Sequence, residues 1–141
     1  AMAVYLKTLP ADQPLANDPA QAPARADITQ QHSQGRRIYA AQCASCHGEQ
    51  GRGKLPHYPP LAANQSITMT SAVNPIRMVL TGGYPPGTRR NPMPYGMPPF
   101  FHTLSDAEIA AVVTYIRTAW GNRGAPVTAR EVNELRSATV E

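Results

Sequence analysis

The hexapeptide Cys43-Ala44-Ser45-Cys46-His47-Gly48 holds both of the chain's cysteines and places a histidine directly behind the second. Three chemistries use thiols at this spacing. Two cysteines separated by two residues can oxidise to a redox-active disulfide, but such a pair ordinarily belongs to a βαβ setting. No βαβ pattern surrounds this one. Two thiolates and an imidazole could also begin a zinc site. A structural zinc takes four ligands, usually in two spaced pairs, and His32, His57 and His102 show no such pairing. The third chemistry uses all three residues: C-x-x-C-H attaches a c-type haem. The two thiols add across the vinyl groups from one side of a short helical turn, and His47 lies under the iron as proximal ligand.

A haem held by His47 needs a second axial donor, a thioether or a nitrogen, to serve as a stable electron carrier. The candidates are Met69, Met78, Met93, Met97, His57 and His102. Met78 falls inside an expected helix beside its apolar stripe, where a methionine is ordinary core filler. Met69 sits among Ser and Thr with nothing to commend it. Met93 and Met97 lie in a proline-rich loop, and flanking prolines lower the entropy lost when a side chain is held in place. Met97 runs into Pro98-Pro99-Phe100 and then a capped helix. It is the favoured ligand, with Met93 next, and a histidine or an open position as the alternatives.

These residues must be positioned by helices, because no convincing strand is present and the fold class reads as all-α. A helix is expected from His32 through Gln42, with Gly35, Tyr39 and Cys43 on one face. Gly on a helix face costs about 1 kcal/mol relative to Ala, and its usual reason is close approach of another backbone. Asn74 and Pro75 read as N-cap and first residue of a second helix. Its stripe is Ile76, Val79 and Leu80, and Gly82-Gly83 ends it. Ser105 and Glu108 form a capping box for the clearest helix, with Ile109, Val112, Val113, Ile116 and Trp120 as its stripe and Gly121 as its stop. A last helix is expected from Ala129 to about Ser137, capped by Thr128 with Glu131. Between them, residues 48–66 and the proline-rich 84–103 read as long loops, which in a compact domain are usually functional.

Composition sets the limits. The chain has 141 residues, 15 of them Pro and 10 Gly, with aromatics at 6%. So short and loop-rich a chain has a small core of its own, and a covalent haem would supply an apolar body to pack around. The formal net charge of +4 would fall with two ionised propionates. The basic residues are scattered apart from the pairs Arg36-Arg37 and Arg89-Arg90, so nucleic-acid binding does not follow from the charge. No run approaches the roughly 20 apolar residues of a membrane span. No signal peptide is evident either, so a leader has been removed or the chain is a piece of something larger.

With its motifs in place, the chain resembles class I cytochromes c, the small all-α electron carriers, over about residues 32–123. The matching stretches are the Gly35/Tyr39 face, Cys43 to Gly48, Tyr58-Pro59-Pro60-Leu61-Ala62, Gly96-Met97-Pro98-Pro99-Phe100, and Leu104 to Asn122. The resemblance implies that the first and last helices cross at Gly35 and Tyr39, with Tyr115 as the facing aromatic. It also implies that Pro59 gives its carbonyl to the ring N–H of His47 and that Leu61 packs on the haem. The segment from Leu104, with Pro126 to Arg136 behind it, is similar to the last haem domain of three-haem cytochrome subunits of membrane-bound bacterial dehydrogenases for alcohols, aldehydes or gluconate. The expected organisation follows. Residues 1–10 are the helical end of a preceding domain, 11–31 an extended Pro/Ala-rich linker, 32–122 the cytochrome c domain, and 123–141 a tail with a short helix.

The function implied is one-electron transfer by a single haem c bound through Cys43 and Cys46 and ligated by His47 and Met97, in a domain that is not itself an enzyme. Its partners would be a dehydrogenase catalytic subunit, other haem domains, and a terminal acceptor or quinone site, in the bacterial periplasm at the membrane surface. The rival readings are a peroxidase-like haem enzyme, for which His102 and Arg89 lie in a suitable region, and a redox or gas sensor with a labile sixth ligand. Arg77, Arg89 and Arg90 are candidates for a haem propionate or for a docking surface.

Overall fold

The computed structural model describes residues 25–138. The expected helix end at 1–10 and residues 11–24 of the expected linker lie outside the described residues. Six helices follow in order: α1 (Arg25–Gln42), α2 (Ala44–His47), α3 (Gln65–Thr68), α4 (Val73–Thr81), α5 (Asp106–Thr118) and α6 (Ala129–Ser137). Among the described residues, β-pairing is confined to two isolated bridges, Lys54 with Tyr58 and Gly83 with Met97. The all-α expectation therefore holds. Among the described residues, no helix is long and apolar enough to cross a membrane.

The principal helix pair is α1 against α5. A Cβ added to Gly35 would overlap the carbonyl oxygen of Ala111 and come within 2.8 Å of Tyr115 Cβ. The glycine is thus required by backbone-to-backbone approach, as its place on the helix face suggested. One turn on, Tyr39 is buried and its hydroxyl donates to the Gly48 carbonyl at 2.6 Å. Its ring meets Tyr115 and Trp120 at centroid distances of 5.5 and 4.9 Å, so the facing aromatic is Tyr115, joined by a tryptophan.

Three boundaries differ from expectation. Helix α1 starts at Arg25 rather than near His32, so residues 25–31 are not extended linker. Pro23 is the last proline before it, and a run of Ala, Asp and Gln is as helix-compatible as it is linker-like once a partner is present. Gln31 provides such a tie, donating to the Val127 carbonyl at 2.7 Å. Helix α4 starts at Val73 with Ala72 at its N-cap, so Asn74 does not cap it. Proline is tolerated at Pro75 because first-turn N–H groups have no intrahelical partner. Helix α5 has the expected capping box but ends at Thr118, before Gly121. Trp120 takes a left-handed φ of 55°, which turns its ring back onto Tyr39 and Tyr115.

The segment expected as a tail packs into the same core. Helix α6 carries the expected Thr128–Glu131 capping box, and Val127 and Val132 are 1% and 0% exposed. Arg136 closes the α5–α6 contact, donating to Asp106 Oδ1 at 2.6 Å and to the carbonyls of Phe101 and Leu104.

The substitution Gly35→Ala separates propensity from packing. Propensity alone favours Ala by about 1 kcal/mol. Forcing α1 off α5 is expected to outweigh that gain and leave the protein about 1–3 kcal/mol less stable. Denaturant unfolding measures the difference, and a midpoint equal to or above wild type contradicts the packing argument.

Candidate functional site

Helix α2 is a single turn that continues the path of α1. The Cys43 N–H reaches the Tyr39 carbonyl and the His47 N–H reaches the Cys43 carbonyl, both at 2.9 Å. Gly48, at φ 78°, stops it. This turn presents Cys43, Cys46 and His47 to one cavity of about 510 Å³. The cysteines are unbonded to one another. Among the described residues, no group of His, Cys, Asp and Glu converges as a metal-ion cluster. Burial, and then the nearby Cys46, push the Cys43 thiol up to about 11. Neither a zinc site nor a redox pair needs the large cavity that this turn faces, whereas a haem does. Of the three chemistries open to this motif, haem attachment is the one that the site fits.

The His47 ring is oriented by the expected carbonyl. Its Nδ1 lies 3.0 Å from the Pro59 oxygen. A carbonyl only accepts, so Nδ1 carries the proton and Nε2 keeps its lone pair for a metal. The loop that brings Pro59 there is set by Gly53, whose φ is +69° and whose added Cβ would lie 2.8 Å from the Pro59 oxygen and overlap the Tyr58 carbonyl. Leu61 also lines the cavity. Its N–H is held by the Gly51 carbonyl at 2.7 Å and its carbonyl by Asn122 Nδ2 at 3.1 Å.

Met97 lines the same cavity. Its backbone is fixed twice, its N–H to the Gly83 carbonyl at 2.8 Å and its carbonyl to the Gly83 N–H at 3.1 Å. Gly82, at φ +64°, permits this, since a Cβ there would overlap the Met97 carbonyl. Phe100 anchors the following residues through the Val79 carbonyl at 2.9 Å. Met93 is 82% exposed and outside the cavity, as is Met69. Met78 departs from expectation: it is no core filler but is 47% exposed and lines the cavity, its sulfur packed toward Gly83. His57 stands at the rim against Tyr95, with ring centroids 5.0 Å apart. His102 is exposed against Phe101 and does not line the cavity. Nor do Arg77, Arg89 or Arg90.

Two residues that sequence reasoning passed over hold the cavity wall. Asn122 is 7% exposed and joins the end of α5 to the Leu61 loop, accepting from the Ala63 N–H at 2.9 Å as well as donating to Leu61 and Ile116 carbonyls. Arg117, 1% exposed, donates to the carbonyls of Ile67 and Met69 at 2.7 and 2.9 Å, and Ile67 lines the cavity. A polar residue within an apolar stripe and another just past a helix end were the available signals.

The cytochrome c family model matches residues 32–120. The chain belongs to the cytochrome c family. It is 37% identical over 111 residues to cytochrome c-552 of Thermus thermophilus, covering 73% of this chain and 84% of that protein. It is 35% identical over 141 residues to the cytochrome c subunit of a quinone alcohol dehydrogenase of Gluconacetobacter polyoxogenes, covering 96% of this chain and 30% of that subunit. It is 39% identical over 105 residues to the gluconate 2-dehydrogenase cytochrome c subunit of Pantoea cypripedii, covering 72% of this chain and 24% of that one. The chain thus spans less than a third of these dehydrogenase subunits. The family's prosthetic group is covalent haem c, and its role is electron transfer rather than catalysis. The residues present fit that group: two thiols on one turn, an imidazole with Nε2 free to ligate, a thioether, and a largely apolar cavity within the size range of cofactor sites.

Gly53→Ala is expected to push the Pro59 carbonyl away from His47. The His47 Nδ1–H signal in the NMR spectrum should then exchange faster with solvent than in wild type. Unchanged exchange would show that the loop absorbs a methyl group there without moving Pro59.

Proposed function

We propose that this cytochrome c is an electron-relay domain in which Cys43 and Cys46 carry the haem and His47 and Met97 are its axial ligands. The haem supplies one-electron cycling between ferric and ferrous iron. The observation that carries the reading is the cavity on which the Pro59-oriented imidazole of His47 and the backbone-fixed thioether of Met97 both open. Leu61 packs beside them. Methionine opposite histidine raises the potential of a haem, because a soft thioether favours ferrous iron.

Electrons would come from a dehydrogenase catalytic subunit, directly or through other haem domains, and leave to a terminal acceptor or quinone site, in the bacterial periplasm at the membrane surface. What supports this is the naming of relatives as cytochrome c subunits of alcohol and gluconate dehydrogenases. The charge pattern supports docking of an acidic partner at the cavity mouth. From Gln50 to Ser105 the chain carries no Asp or Glu, while Arg52, Lys54, Arg77, Arg89 and Arg90 are all exposed. Lys54 is tied to the haem-attachment turn through the Ser45 carbonyl at 2.7 Å. Asn91 ties the Arg89-Arg90 turn to the Pro56 carbonyl at 2.9 Å.

Two measurements test these assignments. Met97→Ala is expected to abolish the long-wavelength charge-transfer absorption of thioether-ligated ferric haem. It should also lower the potential by more than about 59 mV, a tenfold change for a one-electron couple. Met78→Ala should do neither, and the reverse pattern would make Met78 the ligand. Replacing Arg89 and Arg90 together with Gln should slow transfer to or from the partner and flatten its salt dependence while leaving the potential in place. A shifted potential would instead assign these arginines to the haem propionates.

A further inference from the structure

We propose that Arg117 is a permanent buried cation that raises the reduction potential of the haem, acting through the cavity wall without touching the haem. The proposal rests on the haem-relay reading above and concerns a residue that this reading does not use.

The side chain lies in the last turn of α5 and is 1% exposed. Its three nitrogens donate to three carbonyls: Nη1 to Ile67 at 2.7 Å, Nη2 to Met69 at 2.9 Å and Nε to Ala125 at 2.8 Å. No carboxylate is among these partners. The ion pairs among the described residues are elsewhere, Arg130 with Glu134 and Arg136 with Asp106. The backbone closes over the group at Gly124, where an added Cβ would stand 3.0 Å from Arg117 Nε. Carbonyl dipoles satisfy the N–H groups but leave the unit charge in place. Burial lowers the guanidinium pKa, and the field of Glu131 raises it. That carboxylate is already engaged in the capping box with Thr128. A guanidinium keeps its proton in proteins, so the charge persists at every accessible pH.

Its position gives the charge a target. Ile67, whose carbonyl it holds, lines the cavity that receives the haem, and the neighbouring Ile116 lines a smaller adjoining cavity that shares Cys43, His47, Leu61 and Met97 with it. The cation therefore sits one residue behind the wall, shielded from water and salt. Coulomb interactions in such a place are far stronger than at the surface. Reduction adds one negative charge to the haem, so a fixed positive charge favours the ferrous state. A wall brace alone would need hydrogen-bond donors there, and its loss could move the potential only through altered wall geometry, with no dependence on the charge state at this position.

Potentiometry on the haem-loaded Arg117→Met and Arg117→Lys variants separates the two roles. The Met variant removes the charge at similar volume. It is expected to retain covalent haem and the thioether charge-transfer band, while the redox equilibrium moves toward ferric on the order of tenfold, or about 59 mV. The Lys variant keeps a titratable charge in a buried site, where burial depresses its pKa. Its potential should match wild type at low pH, and any fall with rising pH should follow loss of that proton; wild type is the control for all other titrating groups. A folded Met variant with its band intact and its potential unmoved overturns the proposal without touching the haem-relay reading. Should the Met variant not fold, the Lys variant decides. A wild-type potential at low pH supports the proposal, and a potential lowered equally at every pH overturns it in favour of bracing.

Discussion

The contact between the α1 backbone at Gly35 and the α5 backbone at Ala111 is the constraint from which both walls of the site are measured. On the α1 side, the same face carries Tyr39 and then Cys43, so the haem-attachment turn starts from the crossing point. On the α5 side, Val112, Val113 and Ile116 line a smaller cavity that adjoins the haem-site cavity and shares Cys43, His47 and Met97 with it. Because the two backbones meet with no side chain between them, the relative placement of the walls has little freedom. The aromatic group of Tyr39, Tyr115 and Trp120 then fills the space around that contact.

The cavity is completed by segments with little regular structure, and these are fixed through their backbones. The Pro59 carbonyl is aimed at His47 by a loop that turns at Gly53, and Met97 is paired with Gly83 after a turn at Gly82. Glycine serves at these two turns because φ is positive and a neighbouring carbonyl occupies the space of a side chain. Prolines in the loop before Met97 limit the alternatives open to it. Both candidate axial donors are thus held in place by main-chain groups, which have fewer ways to relax than side chains do. A site that stays in one arrangement while its charge changes suits a carrier.

Local signals were legible in the sequence. The C-x-x-C-H turn, both capping boxes and the stripes of α4 and α5 are patterns within a few residues of one another, and the structure has them. Gly35 was legible for a related reason: a glycine on a helix face is costly enough to imply a contact. The boundaries that moved, at Arg25 and Trp120, depend on partners distant in sequence. So do the roles of Asn122 and Arg117, which reach carbonyls about fifty to sixty residues away. Side-chain bonds to distant backbone have no period and no preferred spacing. Met78 was misread because an apolar stripe does not reveal that its edge borders a cofactor cavity.

The distribution of charge shows how one residue type can serve two purposes in one small fold. Arg89 and Arg90 are exposed to water outside the cavity, where their fields extend about one Debye length, ~8 Å at physiological salt. There they can bias the approach of a partner and little else. Arg117 is buried behind the wall, bonded to the Ile67 carbonyl, where it cannot meet a partner and where, on the proposal, its field would act on the cavity with little screening. Under the two proposals, the first position would influence how fast electrons are exchanged and be sensitive to salt, while the second would influence which way they tend to flow and be insensitive to it. Rate and driving force would then be governed by different residues, so a change in one need not disturb the other.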